Sequence, residues 1–217
     1  MTGERTTMSK IITRLFDSFA DAEHAVIDLE SIGVPDGDIS LVAHGSDKKL
    51  SGVKVREPRD MTAGDAAAMD AGVGAAAGGV IGATGGVLAG LGLLAIPGLG
   101  PVIAAGWLTA AAVGALVGGA VVGAAGGLVG ALTNAGVSKE EADVYAEGVR
   151  RGGTLISVKV ADDKLMEAET VLNAIPQVDI TARGAAYREA GWAGFADQAP
   201  PYSDNEIAAE RARYHAA

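Results

Sequence analysis

Between Ala71 and Ser138 the chain carries no Asp, Glu, Lys, Arg or His, a run of 68 residues in a protein that is 20% charged. Chance does not produce such a gap. Pro97-Gly98-Leu99-Gly100-Pro101 divides the run, since each proline lacks an N–H and restricts the residue before it. The sequence therefore predicts two apolar helices joined by a tight turn, about Ala71 to Ile96 and about Val102 to Leu132. At about 1.5 Å per residue they would measure about 39 Å and about 46 Å. Both exceed a hydrocarbon thickness of about 30 Å, so each is long enough to cross a bilayer with tilt.

Glycine spacing sharpens this reading. Gly74, Gly78, Gly82, Gly86 and Gly90 recur every four residues, which aligns them on one helix face. Gly106, Gly114, Gly118, Gly126 and Gly130 keep the same period in the second segment, with Ala110 and Val122 filling the gaps. A helix-interior glycine costs about 1 kcal/mol relative to alanine, so the nine glycines from Gly72 to Gly92 imply a penalty of about 9 kcal/mol. Close backbone approach along a small-xxx-small face is the known offset, and these ten glycines are the expected self-association residues. Two settings supply it: a hairpin embedded in or lying against lipid, or a hairpin packed among sister chains in a soluble assembly. Gly72-Val73-Gly74 with Gly78 also resembles a dinucleotide-binding turn, but no buried strand precedes it and the glycine period simply continues.

The flanks are polar and regular. Ile11 to Phe16 reads as a strand, Ser18 to Ile32 as a helix ended by Gly33, and Asp38 to Ala43 as a second strand. After the apolar run, Ser138 and Glu141 form a capping box for a helix that Gly152-Gly153 stops near Arg151. Thr154 to Val160 is a strand, Asp162 or Asp163 caps a helix to about Ala174, and Val178 to Thr181 starts a last strand. Two strand-helix-strand units of this kind predict an α+β, ferredoxin-like βαβ-βαβ domain with its helices on one face. The apolar hairpin is its insertion. The expected organisation is residues 1–60 for the first half and linker, 61–137 for the hairpin, 138–185 for the second half and 186–217 for a C-terminal arm.

Two motifs, Gly33-Val34-Pro35-Asp36-Gly37-Asp38-Ile39-Ser40-Leu41-Val42 and Gly148-Val149-Arg150-Arg151-Gly152-Gly153-Thr154-Leu155-Ile156-Ser157-Val158, together with the glycine-rich middle, give residues 9–185 a resemblance to the bacterial general stress proteins of the heat-induced stress protein type. The resemblance implies a stress-associated, non-enzymatic, membrane-linked or interaction protein. It transfers no catalytic residue.

Composition narrows the remaining classes. A net charge of -10 lacks the basic footprint of a nucleic-acid binder. No cysteine means no disulfide and no thiolate site, and with only His24, His44 and His215 a histidine metal cluster is not expected. No catalytic constellation, cofactor motif or small-molecule site emerges. The polar N-terminus, Met1 to Lys10, has no signal-peptide core. Basic residues Lys48, Lys49, Lys54, Arg56 and Arg59 before the apolar run and Lys139, Arg150 and Arg151 after it would keep both termini cytoplasmic if the hairpin enters a membrane. The expected function is thus a non-enzymatic stress-associated homo-oligomer that inserts in or associates with membrane lipid through its glycine zippers. The alternative is a soluble cytoplasmic ring, shell or filament with the hairpins buried between copies. Five of the nine aromatics fall in the last 31 residues. Of these, Trp192, Phe195 and Tyr202 suit an arm that docks, either onto another surface or back onto its own domain.

A zipper predicts an effect opposite to helix propensity. Gly82→Leu should weaken self-association while helix content stays equal or rises, Gly82→Ala should do so mildly, and Val80→Leu should do little. Crosslinking and native mass measurement of the three variants test this, and unchanged assembly in Gly82→Leu would reduce the spacing to coincidence.

Overall fold

The computed structural model describes residues 9–45, 92–96, 98–109, 111–112 and 127–215. Strand β1 (Ser9–Phe16) leads into helix α1 (Phe19–Ser31), whose start is set by Ser18, the side chain of which accepts from the Asp21 N–H. The helix buries Ala22, Ala25, Val26 and Leu29, the apolar positions at helical spacing, and ends at Gly33 with φ +80°. Strand β2 (Ile39–His44) follows a single 3-10 turn. Strands β3 (Gly92–Ile96) and β4 (Gly100–Ala105) come next, then α2 (Gly127–Asn134), α3 (Lys139–Arg150) and β5 (Thr154–Ala161). The chain ends with α4 (Leu165–Asn173), α5 (Ile180–Glu189) and α6 (Asp204–His215).

The strands make one antiparallel sheet in the order β1-β5-β2-β4-β3. β5 lies between β1 and β2 and runs antiparallel to both, with Ser157 opposite Thr13 on one side and Ser40 on the other. Strand alternation sends Ile156, Val158 and Val160 toward α1 and α4, where Ala168 and Leu172 complete the core. Leu155 points the other way, toward a second core with Leu128, Leu132, Tyr145, Ala146 and Val149 from α2 and α3. The molecule is therefore an α+β sheet in which the helices of the two strand-helix-strand units, α1 and α4, share one face as expected, while α2 and the Ser138-capped α3 cover the other.

The apolar insertion departs most from expectation. The Pro97–Pro101 cluster does reverse the chain, but between strands: Ile96 pairs with Gly100 and Gly92 with Ala104, and β4 pairs with β2 from Leu41–Ala105 to His44–Val102. Gly98 and Gly100, at φ +77° and +80°, supply the left-handed conformations that so short a reversal needs. Helix propensity lost here because the edge of β2 offers partners for a strand, and a glycine-rich segment has little helical preference to set against them. The predicted helices 71–96 and 102–132 accordingly do not run through these residues. Gly106 ends β4 at φ +89°; residues 107–109 and 111–112 are helical, with Leu108 and Ala112 buried in the second core, and helix is described again from Gly127. Among the described residues no helix is long and apolar enough to cross a membrane.

Eight of the ten zipper glycines, Gly74, Gly78, Gly82, Gly86, Gly90, Gly114, Gly118 and Gly126, lie outside the described residues. The other two have local explanations. Gly130 is buried within α2. A Cβ on Gly106 would run into the Ile39 carbonyl oxygen and stand 2.5 Å from Ser40 Oγ.

Two smaller expectations also fail. Neither Asp162 nor Asp163 caps α4, which follows a 3-10 turn without a side-chain cap. Lys164 instead donates to the Ile32 and Gly33 carbonyls at the end of α1, satisfying acceptors that the helix leaves open. The last strand is not formed: Asp179 accepts from the N–H groups of Thr181 and Ala182 and starts α5. The Val178 N–H still donates to the Leu15 carbonyl at 2.8 Å, so one bond of that pairing survives beside β1.

Gly106→Ala separates the two roles of this glycine. A zipper glycine tolerates alanine mildly, whereas a strained φ plus a backbone clash should destabilise by about 2–4 kcal/mol. Urea unfolding of the variant measures the difference.

Candidate functional site

The largest assembly of polar chemistry gathers where the C-terminal arm meets the end of α3. Helix α3 brings Glu147 and Arg150 and is followed by Arg151; α5 brings Arg183 and Tyr187; the turn after β1 brings Asp17; α6 brings Glu210, Arg211 and Tyr214. Gly152, at φ +97°, terminates α3 so that Arg151 turns inward, and its carbonyl accepts from Arg211 Nη2 at 2.6 Å.

The arginines are held on fixed partners. Arg183 makes a two-pronged contact with Asp17, both bonds 2.8 Å. Arg151 donates to Glu147 at 2.7 Å and to Glu210 at 2.8 Å, so it joins α3 to α6. Arg150 Nε stands 3.4 Å from Glu147 Oε2, an ion pair with looser geometry. Aromatic faces complete the shell: Arg151 lies 4.1 Å from the Tyr187 ring centre, Arg183 lies 3.5 Å from that of Tyr214, and Arg150 lies 5.0 Å from that of Tyr202. Burial pulls the Arg151 pKa down, but the bonds to Glu210 and Glu147 outweigh it and the net shift is upward. Arg183 behaves alike through Asp17. Both remain guanidinium cations at any ordinary pH.

Tyr187 sits at the centre with only 1% of its surface exposed. Burial pushes its pKa well above the usual phenol range, against the pull of Arg183 and Arg151. Its hydroxyl meets no protein partner in good hydrogen-bond geometry. A cavity of about 10 Å³ lies among Asp17, Arg151, Arg183, Tyr187, Glu210 and Tyr214. That is room for about one water and for no organic substrate.

Asp17, Glu147 and Glu210 each hold an arginine, so the cluster works chemically as a latch between segments rather than as a source of a base or nucleophile. A second polar group, the hydroxyls of Thr13, Ser157 and Ser40 across three strands, is equally committed. Thr13 and Ser157 bond to each other at 3.1 Å, Ser40 accepts from the Leu108 N–H at 2.9 Å, and Tyr145 donates to the Thr13 carbonyl. His24 is exposed on α1 while His44 is buried in β2, and among the described residues no group of three or more acidic or histidine side chains is placed to hold a metal.

The three aromatics expected to dock all lie against the chain's own domain. Trp192 packs edge-on to Tyr187 with ring centres 5.8 Å apart, Phe195 packs against the second core, and Tyr202 covers Arg150 and Arg151. Of the cluster, the sequence points to Arg150 and Arg151, as flanking charges, and to Tyr202, as an aromatic of the arm. The i,i+4 spacing of Glu147 and Arg151 was a signal within reach, whereas the meeting of Asp17 with Arg183 across 166 positions was not. The chain matches no protein-family model, no curated protein and no solved structure.

The buried phenol makes a signed prediction. A group whose folded pKa is raised contributes its stability below the unfolded value, about 10 for tyrosine, and loses it as pH climbs past that value. Stability should therefore fall above about pH 10. Tyr187→Phe should flatten that fall while changing stability at pH 8 by less than about 1 kcal/mol. Urea midpoints at pH 8 and pH 11 for both proteins check it, and an identical decline would assign the alkaline loss elsewhere.

Proposed function

We propose that this is a non-enzymatic, stress-associated protein that self-assembles through the glycine-rich segment 71–91, displayed by a rigid ferredoxin-like domain. The observation that carries the reading is topological. Gly45 donates to the Pro101 carbonyl at 2.7 Å and Gly92 pairs with Ala104, so the chain leaves and rejoins one sheet around residues 46–91. A segment fixed in one body at both ends cannot cross a bilayer once. On the second limb only residues 113–126 lie between described helical residues, and 14 residues reach about 21 Å as a helix, short of a bilayer's about 30 Å. Contact with sister chains, or with a membrane surface, is what these lengths favour.

The placement of β5 between β1 and β2, with α1 and α4 on one face, supports the ferredoxin-like reading, in which α5 replaces the fourth strand. The resemblance to general stress proteins supports the stress association. A second reading, attachment to lipid, is favoured by the 21 uncharged residues of 71–91. Against it, the charge-free residues of β4 and α2 bury Val102, Leu128 and Leu132 inside this chain's own cores, so lack of charge is not here a mark of lipid. Both readings put the two flanks of the insertion on the same side of any membrane, since residues before and after it share a sheet.

Fractionation decides between them. The full chain should form a discrete homo-oligomer without detergent, and any membrane-bound portion should be released by carbonate. A protein that stays with membranes after carbonate and needs detergent for release would overturn the proposal, as would a detergent-free monomer.

A further inference from the structure

We propose that the C-terminal arm, residues 192–215, is a releasable strap that holds the β3–β4 hairpin in the sheet, so that arm and hairpin open together and uncover the hairpin's apolar turn.

The strap touches the hairpin where nothing larger than glycine fits. A Cβ on Gly98 would lie 2.7 Å from Asp197 Cα and 2.9 Å from Phe195 Cζ, and one on Gly100 would lie 2.6 Å from Pro201 Cβ. The arm thus lies directly over the turn whose Ile96, Leu99 and Val102 are buried, and Phe195 adds to the same core. The hairpin sits at one end of the sheet, joined to it only through β4 on β2. Lifting the arm would uncover that turn from the outside.

The arm's far end is held by contacts suited to release. In α6 the buried residues are Ile207 and Glu210, so a single apolar side chain anchors a helix of 12 residues. The rest of the grip is ionic and cation–π: Glu210 on Arg151, Arg211 on the Gly152 carbonyl, Tyr214 on Arg183 and Tyr202 on Arg150. Losing Glu210 leaves Arg151 with Glu147 alone, which Arg150 already shares. Such a network is all-or-none, because a half-satisfied set of buried charges is worse than an open one.

Coupling of this kind is reciprocal, and reciprocity is the test. Hydrogen exchange on the full chain should show residues 98–104 and 204–214 opening together in Glu210→Gln, each about tenfold faster or more, with β1 and β5 unchanged. From the other side, Gly98→Ala should speed exchange in 204–214. Should Glu210→Gln loosen β1 and β5 too, Tyr202→Ala, which removes only a ring over the arginines, gives the same reading. Faster exchange in α6 with 98–104 unmoved would overturn the strap.

Discussion

Everything in this fold hangs on β5 entering between β1 and β2. A strand from the C-terminal half becomes the hydrogen-bonding partner of two strands from the N-terminal half, and neither of those has the other as a neighbour. Its register is fixed twice over. With both faces buried, a one-residue slip would exchange Leu155 with Ile156 and carry Ser157 into the apolar layer under α1, away from Thr13 and Ser40. A buried hydroxyl without a partner costs about 1–3 kcal/mol, so the polar row selects the register against near alternatives. The insertion inherits the consequence: its ends are tied to one rigid sheet.

The buried charges act as a different kind of constraint. Apolar packing of the same volume would hold the arm at least as firmly as an ion-pair network, given the cost of desolvating charge. What the network adds is direction. Arg183 reaches Asp17 with both prongs and stacks on Tyr214, and only one placement of α6 satisfies both, with Glu210 on Arg151. Lysine would not substitute, because a point charge neither forks onto a carboxylate nor lies flat on a ring.

Local signals were legible in the sequence wherever the chemistry is local. Ser18 starts a helix where the sequence places one, Ser138 does so as its spacing to Glu141 indicates, and Gly33 and Gly152 stop them. Strands β1, β2 and β5 and the apolar face of α1 follow from periodicity. The breaker cluster at Pro97–Pro101 was legible as a turn, yet the sequence does not say what the turn joins, because the partner that decides is β2, more than fifty residues earlier. Val178 to Thr181 has strand composition, but Asp179 caps a helix there, a local hydrogen bond that outcompetes an edge position on β1. The arginine cluster was the least legible part, since its members come from four separate elements: helical spacing relates Glu147 to Arg151, Arg183 to Tyr187 and Glu210 to Tyr214, but nothing local brings those pairs together.

Glycine periodicity marks the limit of pattern alone. Gly106 keeps step with Gly114, Gly118, Gly126 and Gly130, yet it ends a strand in a left-handed conformation, pressed on the backbone of β2. Gly98 and Gly100 stand outside the four-residue rows and serve a turn. These glycines keep the company of proline: Gly98 and Gly100 lie between Pro97 and Pro101, and Gly106 follows Pro101 by five residues. Proline removes the backbone donors a helix needs, and the glycines near it supply positive φ. In the second row Gly106 and Gly130 already have roles inside this chain, so the proposal of self-association rests on the first row.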